Sequence, residues 1–445
     1  MLFFHFLSMP ARHGLWSRLV GVILLANLLA LSSPAVLATD IPLTLGQAQQ
    51  LAVARSSQLH AQDLAVRASR DMAVAAGQLA DPVLKLGVDN LPVTSPDRGS
   101  FTSDFMTMRR IGVMQELTGS DKRQLRADRY AHAADKFLAE KASAIAAIQR
   151  DTAIAWLDSY YAERMAALVA EQVSQARLEI EAAESSYRAG RGSQADIFAA
   201  RSALGMAEDC VSEIQRKVRY ARTMLSRWTG VAELPLAGEP SLDNIRLDLS
   251  ALAKSLAHHP QITVLNRQTE IAETDAKLAE ANKKPDWTVE LAFQQRGPAY
   301  SNMVSIGISV PFQWDQKNRQ DRELSSKLAI VEQARAERDE SLRAHVAETT
   351  TIIDKWKNDL ERNTRYEREL IPLAKERTQA TLSAYRGGKS NLADVLLARR
   401  NEIDVRLQAL QLQADTARLW AQLNFLFPAD VDGMNSAKST IRDMP

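Results

Sequence analysis

The sequence predicts a mainly α-helical fold with a small β part, and it indicates an internal duplication of this fold. Glycine occurs 18 times and proline 15 times among 445 residues, about 4% and 3% against usual shares of ~7% and ~5%. So few helix-breaking residues in a long chain indicate long helices. A motif near the middle of the chain recurs near its C-terminus, and short segments of alternating polar and apolar residues interrupt both halves.

Residues 1–38 have the pattern of a secretory signal peptide. Arg12 and Arg18 precede an apolar run over 19–31, and a cleavage-site pattern follows at 36–38. The run is shorter than the ~20 residues that a membrane-spanning helix needs, which disfavours the alternative of a membrane anchor. We therefore expect the chain to be exported, without a helical membrane span in the later sequence.

Charge and cysteine content exclude several classes of protein. Lys and Arg number 55 against 54 Asp and Glu, so no basic field predicts binding to nucleic acid. The single cysteine, Cys210, forbids an intrachain disulfide or a cysteine metal cluster. No phosphate-binding loop and no nucleophile–base arrangement is legible. The sequence therefore predicts no cofactor and no enzyme, and an exported hydrolase is the least favoured alternative.

The duplication is clearest where Tyr187–Arg201 aligns without a gap on Tyr385–Arg399. The Tyr-Arg pair, a glycine, an Ala-Asp pair and two later residues are identical in the two copies. Each half is expected to run helix, strand pair, very long helix, turn, helix. The first predicted repeat is 39–242, with strands 83–90 and 105–117 and the helical hairpin 119–228. The second is 243–428, with strands 286–294 and 303–312 and the helical hairpin 315–427. A C-terminal tail, 429–445, follows.

The long helices follow from uninterrupted stretches of good helix formers. No glycine or proline lies between Gly119 and Gly190, which predicts a rod of roughly 105 Å at 1.5 Å per residue. The second half is free of both residues throughout 312–371, and Pro372 should then kink or interrupt the helix. Helices of this length must pack side by side, in a coiled coil or a helical barrel.

Alternation with period two predicts half-buried strands. In 287–294 one face carries Trp287, Val289, Leu291 and Phe293, and the other carries mainly polar residues. In an exported protein this pattern fits either a transmembrane barrel or a soluble β-subdomain. Trp287 and Trp314 lie near strand ends, where an aromatic girdle at a membrane surface would sit. Four strands are too few for a barrel with a channel, so strands in a membrane would need several chains.

These features resemble the TolC-type outer-membrane efflux factor family. The resemblance rests on the duplicated Tyr-Arg-x-Gly-[Arg/Lys] turn followed by Ala-Asp-[Ile/Val], the two strand pairs and the order of elements. It implies a homotrimer in which four strands per chain complete a 12-stranded barrel in outer-membrane lipid, continued by a long α-helical barrel of duplicated hairpins. It also implies two partners, a periplasmic adaptor protein and an inner-membrane pump of the resistance-nodulation-division type.

Segments 91–96 and 105–116 resemble the heavy-metal branch (Czc- and Cus-like) of that family. This implies efflux of heavy-metal cations through a passive duct. Efflux of organic compounds through the same duct is the first alternative. A periplasmic adaptor is the second, although it predicts one helical hairpin with compact β-domains.

The resemblance also assigns the two turns to the periplasmic tip. It implies that Asp196 and Asp394 narrow and charge the pore entrance, where a ring of carboxylates favours cations. Helix capping alone is the competing explanation for these two residues. The adaptor-docking residues that it implies are Tyr187, Gly190, Arg191, Tyr385, Gly388 and Lys389.

Potential metal ligands have simpler explanations. Met106, Met108 and Met114 are soft ligands, but their spacing favours packing on one strand face. His258 and His259 precede a proline and are expected at a loop between helices. Cys210 is expected to pack inside a helix. The sequence therefore assigns no metal site.

Overall fold

The computed structural model describes residues 42–231, 235–238 and 242–429. The predicted signal peptide 1–38 lies outside these residues, as does the predicted tail except Ala429.

Both halves contain helices, then a strand pair, then a long helical hairpin. The first half comprises α1 Leu45–Arg55, α2 Ser57–Ala76, β1 Val83–Asp89, β2 Met108–Leu117, α3 Ser120–Arg188 and α4 Gln194–Thr229. The second half comprises α5 Leu252–Ala257, α6 Pro260–Ala281, β3 Trp287–Gln295, β4 Met303–Ser309, α7 Gln320–Arg365, α8 Ile371–Arg386 and α9 Leu392–Asn424.

Helix α3 is the central rod and runs for 69 residues, as the absence of Gly and Pro predicts. It contacts α2, α4, α6 and α9, so helices of both halves share it. The main buried cluster surrounds Trp156 and Leu157 of this helix and includes Phe425 from the end of the chain. The Trp156 indole N–H donates to the Leu43 carbonyl at 2.9 Å, which ties the start of the described chain to the rod.

The corresponding rod of the second half is interrupted. A π-helical turn, Tyr366–Leu370, separates α7 from α8. Pro372 follows at once and has no N–H to donate to the carbonyl of Arg368, four residues earlier. The wider turn accommodates that missing hydrogen bond, so the predicted interruption at Pro372 is present as a π turn within a continuing helical rod.

The strands form one antiparallel sheet in the order β1-β2-β3-β4. Pairing of β2 with β3 joins the two halves, with Ile111 opposite Phe293 and Val113 opposite Leu291. The fold class is thus confirmed as mainly helical with a small four-stranded sheet. The trimeric barrel remains a proposal.

Strands β2 and β4 are each three residues shorter than the sequence predicts, and β1 is one residue shorter. Strand β2 begins at Met108 rather than at 105, because β1 ends at its partner Asp89 and the Phe105 carbonyl accepts from the Arg296 side chain instead. Strand β4 ends at Ser309, opposite Thr288 near the start of β3. The chain then turns, and α7 starts at Gln320 rather than at 315.

Candidate functional site

The sheet separates its side chains into one apolar and one polar face, as the alternation predicts. By register the apolar face carries Leu84, Leu86, Val88, Ile111, Val113, Leu291, Phe293, Val304, Ile306 and Ile308. Within the single chain no other described element covers this face, and its side chains are solvent-exposed: Leu86 is 71% exposed and Ile306 is 75% exposed. A continuous apolar surface of this kind in one chain indicates contact with a partner or with lipid.

The aromatic residues that the sequence assigns to a girdle lie at the helical end of the sheet. Trp287 begins β3 and is 54% exposed, and Trp314 lies just beyond β4 and is 88% exposed. At the opposite end of the sheet are the loops 90–107 and 296–302. Two large aromatic side chains are therefore exposed at the helical end of the sheet, where they could contact a membrane surface.

The polar face carries a network of charges across three strands. Lys85 of β1 lies 2.9 Å from the Glu290 carboxylate of β3. Arg110 of β2 also pairs with Glu290, and its second partner is Asp89 at 3.8 Å. Lys85 lies opposite Gly112 in the register, where a glycine leaves room for the side chain along the sheet. These four charges balance one another, and Glu116, farther along β2, adds one negative charge to the same face.

A buried ion pair joins the sheet to the central rod. The Lys122 ammonium, in the first turn of α3, lies 2.9 Å from Asp286 and donates to the Lys284 carbonyl at 2.5 Å. Asp286 also accepts the Gly119 N–H at 3.2 Å. No local pattern in the sequence marks this pair, because its partners are far apart in the chain.

The duplicated motif folds into two equivalent turns at the far end of the hairpins. Gly190 has φ +71° and Gly388 has φ +70°, the left-handed conformation that glycine commonly adopts at helix ends. The Arg191 N–H donates to the Ser186 carbonyl at 3.0 Å, and the Lys389 N–H makes the corresponding bond at 2.8 Å. The side chains of Arg191 and Lys389 remain exposed.

Both predicted pore carboxylates lie in the first turn after these bends. Asp196 forms a capping box with Ser193, whose N–H and Oγ both donate to the Asp196 carboxylate at 2.8 Å. The Asp394 carboxylate accepts from Ser390 Oγ at 2.9 Å, and its backbone N–H donates to the Asn391 side chain at 2.8 Å. Capping interactions therefore occur at both turns, and the Asp394 side chain remains exposed.

The two turns lie side by side, which the sequence could not establish. Ser186 Oγ and the Tyr385 hydroxyl are 3.4 Å apart. Tyr385 packs against a small buried cluster formed by residues of both hairpins, whereas Tyr187 is 49% exposed. The motif is symmetric in sequence, but only its second tyrosine packs inside the chain.

A second cross-hairpin contact involves the final arginine of the repeated motif. Arg399 lies 2.5 Å from Glu179 of α3, whose side chain is only 13% exposed. Its sequence equivalent, Arg201, pairs with Glu184 of its own hairpin at 2.9 Å. Burial raises the pKa of Glu179 although Arg399 opposes the shift. Identity of the two arginines was a signal in the sequence, but it did not reveal their different partners.

The two hairpins also enclose a groove of about 1200 Å³ beside this ion pair. Its lining includes Ala176 and Glu179 of α3, Met206 and Cys210 of α4, and Arg399 of α9. The Cys210 thiol is half-buried in α4, and burial raises its pKa. Packing in a helix is thus the role that the geometry gives it.

The histidine and methionine residues considered as metal ligands have structural positions in helix caps and strands. His259 accepts the Gln261 N–H as the N-cap of α6, and its ring centroid lies 4.3 Å from that of His345. Burial and the neighbouring His345 lower the pKa of His259 to about 4. Met108 and Met114 lie on the polar face of β2, and Met106 precedes that strand. No cluster of three or more His, Cys, Asp or Glu residues is placed to hold a metal in the described chain.

The helices that the structure describes contain no segment with both the length and the apolar composition needed to cross a bilayer.

The fold is shared with solved outer-membrane proteins. The outer-membrane channel OprN superposes with a TM-score of 0.74 at 15% identity, covering 87% of this chain and 90% of OprN. The outer membrane protein VceC from Vibrio cholerae gives 0.71 at 18% identity, covering 86% and 95%. CusC, described as forming a transmembrane channel, gives 0.74 at 13% identity, covering 87% and 93%. No protein-family model and no curated protein matches the sequence.

The chain therefore has the fold of TolC-type outer-membrane channels, with two long helical hairpins and a four-stranded sheet. At 13–18% identity these structures define the fold. OprN and CusC match it with the same TM-score of 0.74, so the likeness does not favour one branch of channels over another.

Proposed function

We propose that this protein is an exported outer-membrane channel of the TolC-type family, a passive trimeric duct in a tripartite efflux system. The observation that carries the proposal is the bare apolar face of a small sheet attached to very long helices. The channel would perform no chemistry and bind no cofactor. Energy would come from an inner-membrane pump.

The sheet supports assembly from several copies. Strands β1 and β4 are its edges and pair with no further strand in the described chain. Exposed strand edges are not tolerated in lipid, because their N–H and C=O groups find no water there. Three copies with four strands each would close a 12-stranded barrel, with the apolar face towards lipid and the polar face towards water.

The proposed periplasmic end is the pair of turns. Asp196 and Asp394 would form acidic rings at the pore entrance when repeated by threefold symmetry. Tyr187, Gly190 and Arg191 would dock the adaptor protein together with their counterparts in the second turn, Tyr385, Gly388 and Lys389. The exposed Tyr187 supports this role, because aromatic and arginine side chains commonly anchor protein interfaces.

The proposed cargo is heavy-metal cations, on the resemblance of segments 91–96 and 105–116 to the heavy-metal branch. Organic compounds are the alternative cargo. Deletion of the gene, followed by growth on a metal panel and a drug panel, distinguishes them. Loss of drug tolerance alone would overturn the metal assignment without affecting the channel.

The channel itself is tested with two substitutions on adjacent residues of β4. Ile306→Lys places a charge on the apolar face, where lipid contact would cost about 2–4 kcal/mol near the membrane centre. Ser305→Lys places the same charge on the polar face and serves as the control. We expect Ile306→Lys to lose outer-membrane insertion and bilayer conductance, and Ser305→Lys to retain both.

The wild-type chain should purify from the outer membrane as a detergent-stable trimer. A mature chain that stays monomeric, water-soluble and folded without detergent would overturn the proposal. Equal insertion of the two lysine variants would also contradict it, because the two sheet faces would then have the same surroundings.

A further inference from the structure

One charged residue lies on the apolar face of the sheet. Alternation and register place Arg109 of β2 on the same face as Ile111 and Val113, paired with Val88 and Gln295. Every other described strand residue on that face is uncharged. A guanidinium among residues that we propose to face lipid requires a specific compensation.

The neighbouring residue, Arg110, has its charge compensated by ion pairs within the sheet. Arg110 points to the polar face and pairs with Glu290 and Asp89. Arg109 has no ion pair and no hydrogen bond from its guanidinium to any residue that the structure describes, and its Nε is buried without a partner. Of these two adjacent arginines, only Arg109 lacks an anionic partner among the described residues.

The position of Arg109 along the strand identifies where that anion would be. Strand β2 runs from Leu117, beside Trp287 at the helical end, to Arg109 at the loop end. At ~3.3 Å per residue this length is about 26 Å, or roughly 20 Å along the membrane normal at the usual strand tilt. The lipid band of such barrels is ~25 Å tall, so Arg109 lies near its far boundary. A long arginine side chain reaches the headgroups from there.

We infer that Arg109 binds the phosphate of a lipid headgroup in the membrane leaflet on the loop side of the sheet. The inference rests on the proposed function, because it needs the apolar face to be in lipid. The planar guanidinium suits a phosphate, since two parallel N–H groups can bind two of its oxygens. A phosphate carried by a lipid supplies the missing anion, while its acyl chains cover the apolar side chains of the same face.

The test uses the purified full-length trimer in a neutral maltoside detergent. Binding of phosphatidic acid is measured by native mass spectrometry for the wild type, Arg109→Gln and Arg98→Gln. Arg98 is an exposed arginine in the loop at the same end of the sheet, so its variant removes the same charge without touching the apolar face. We expect about tenfold weaker binding in Arg109→Gln, typical of losing a charge-assisted hydrogen bond, and no change in Arg98→Gln.

Two further arms identify the ligand. Diacylglycerol, which has the same acyl chains without the phosphate, should bind weakly to all three proteins. Inorganic phosphate at the lipid concentration should not displace phosphatidic acid; displacement would identify a site for free anions and overturn the inference. Unchanged lipid binding in Arg109→Gln, with conductance in phosphatidylcholine bilayers retained, would overturn the inference and leave the channel intact. Absence of conductance in the wild type would instead contradict the proposed function.

Discussion

The ion pair between Lys122 and Asp286 should contribute strongly to the attachment of the sheet to the helical rod. The Lys122 side chain is 4% exposed and that of Asp286 is 21% exposed, with 2.9 Å between the charged atoms. Replacement of Lys122 by Met leaves the carboxylate with the Gly119 N–H as its remaining partner. Because an unpaired charge in a poorly hydrated site is unfavourable, we expect the free energy of unfolding to fall by about 3 kcal/mol.

The chain contains a matched control a short distance away. Lys283 and Asp321 also lie 2.9 Å apart, but their side chains are 29% and 48% exposed. Lys283→Met should therefore cost less than about 1 kcal/mol, because water solvates the carboxylate that remains. Both variants remove one ammonium group from the same region, so the difference between them isolates the effect of burial.

The assay is equilibrium unfolding in guanidinium of the detergent-solubilised protein, followed by helical circular dichroism. A third variant combines Lys122→Met with Asp286→Leu, and it should recover part of the lost stability, because no unpaired charge remains. Equal losses in Lys122→Met and Lys283→Met would refute the reasoning from burial. So would a double variant less stable than Lys122→Met alone.

Three further predictions concern the helices. The pKa of His259 falls from its ordinary ~6.5 to about 4 in the folded chain. The contribution of neutral His259 to the free energy of unfolding is therefore full above about pH 6.5. It falls by up to ~3 kcal/mol as the pH drops towards 4. His259→Asn, which can still cap the helix, should flatten this dependence in unfolding measured from neutral pH to about pH 4. Arg399→Met leaves the mostly buried Glu179 carboxylate unpaired and should destabilise the chain more than Arg201→Met, because Glu184 is 34% exposed and keeps Arg188 at 4.0 Å; equal thermal midpoints would contradict this. Asp394→Asn should weaken cation preference in reversal-potential measurements, whereas Glu376→Gln, an exposed residue farther along the hairpin, should not; unchanged selectivity would exclude a pore role for Asp394.

Much of the fold was predictable because its determinants are local. The long helix α3 follows from a stretch without Gly or Pro, and the sheet faces follow from period-two alternation. The positions of the duplicated turns were predictable because the repeated motif marks them, and Gly190 and Gly388 both take the left-handed conformation there. Strand ends were less predictable, because β2 and β4 stop where their partners stop rather than where their own alternation stops.

The candidate site was predictable as a set of positions, but its contacts were not. The sequence treats Tyr187 and Tyr385 as equivalents, yet only Tyr385 packs within the chain. It also treats Arg201 and Arg399 as equivalents, yet only Arg399 reaches across to the other hairpin. In both pairs the residue of the second hairpin contacts the first hairpin, Tyr385 at Ser186 and Arg399 at Glu179, whereas its sequence equivalent makes no such cross-hairpin contact within the described residues.

The sequence by itself determined the secondary structure, the duplication, the two faces of the strands and the location of the turns, because these depend on residues within a few positions of one another. Tertiary structure alone decided that the strands of both halves join into one sheet and that Lys122 meets Asp286. It also decided that Arg110 has two counter-ions in the described part of the chain while Arg109 has none there. These outcomes depend on which distant segments are adjacent in space, and no local preference of the chain encodes that arrangement.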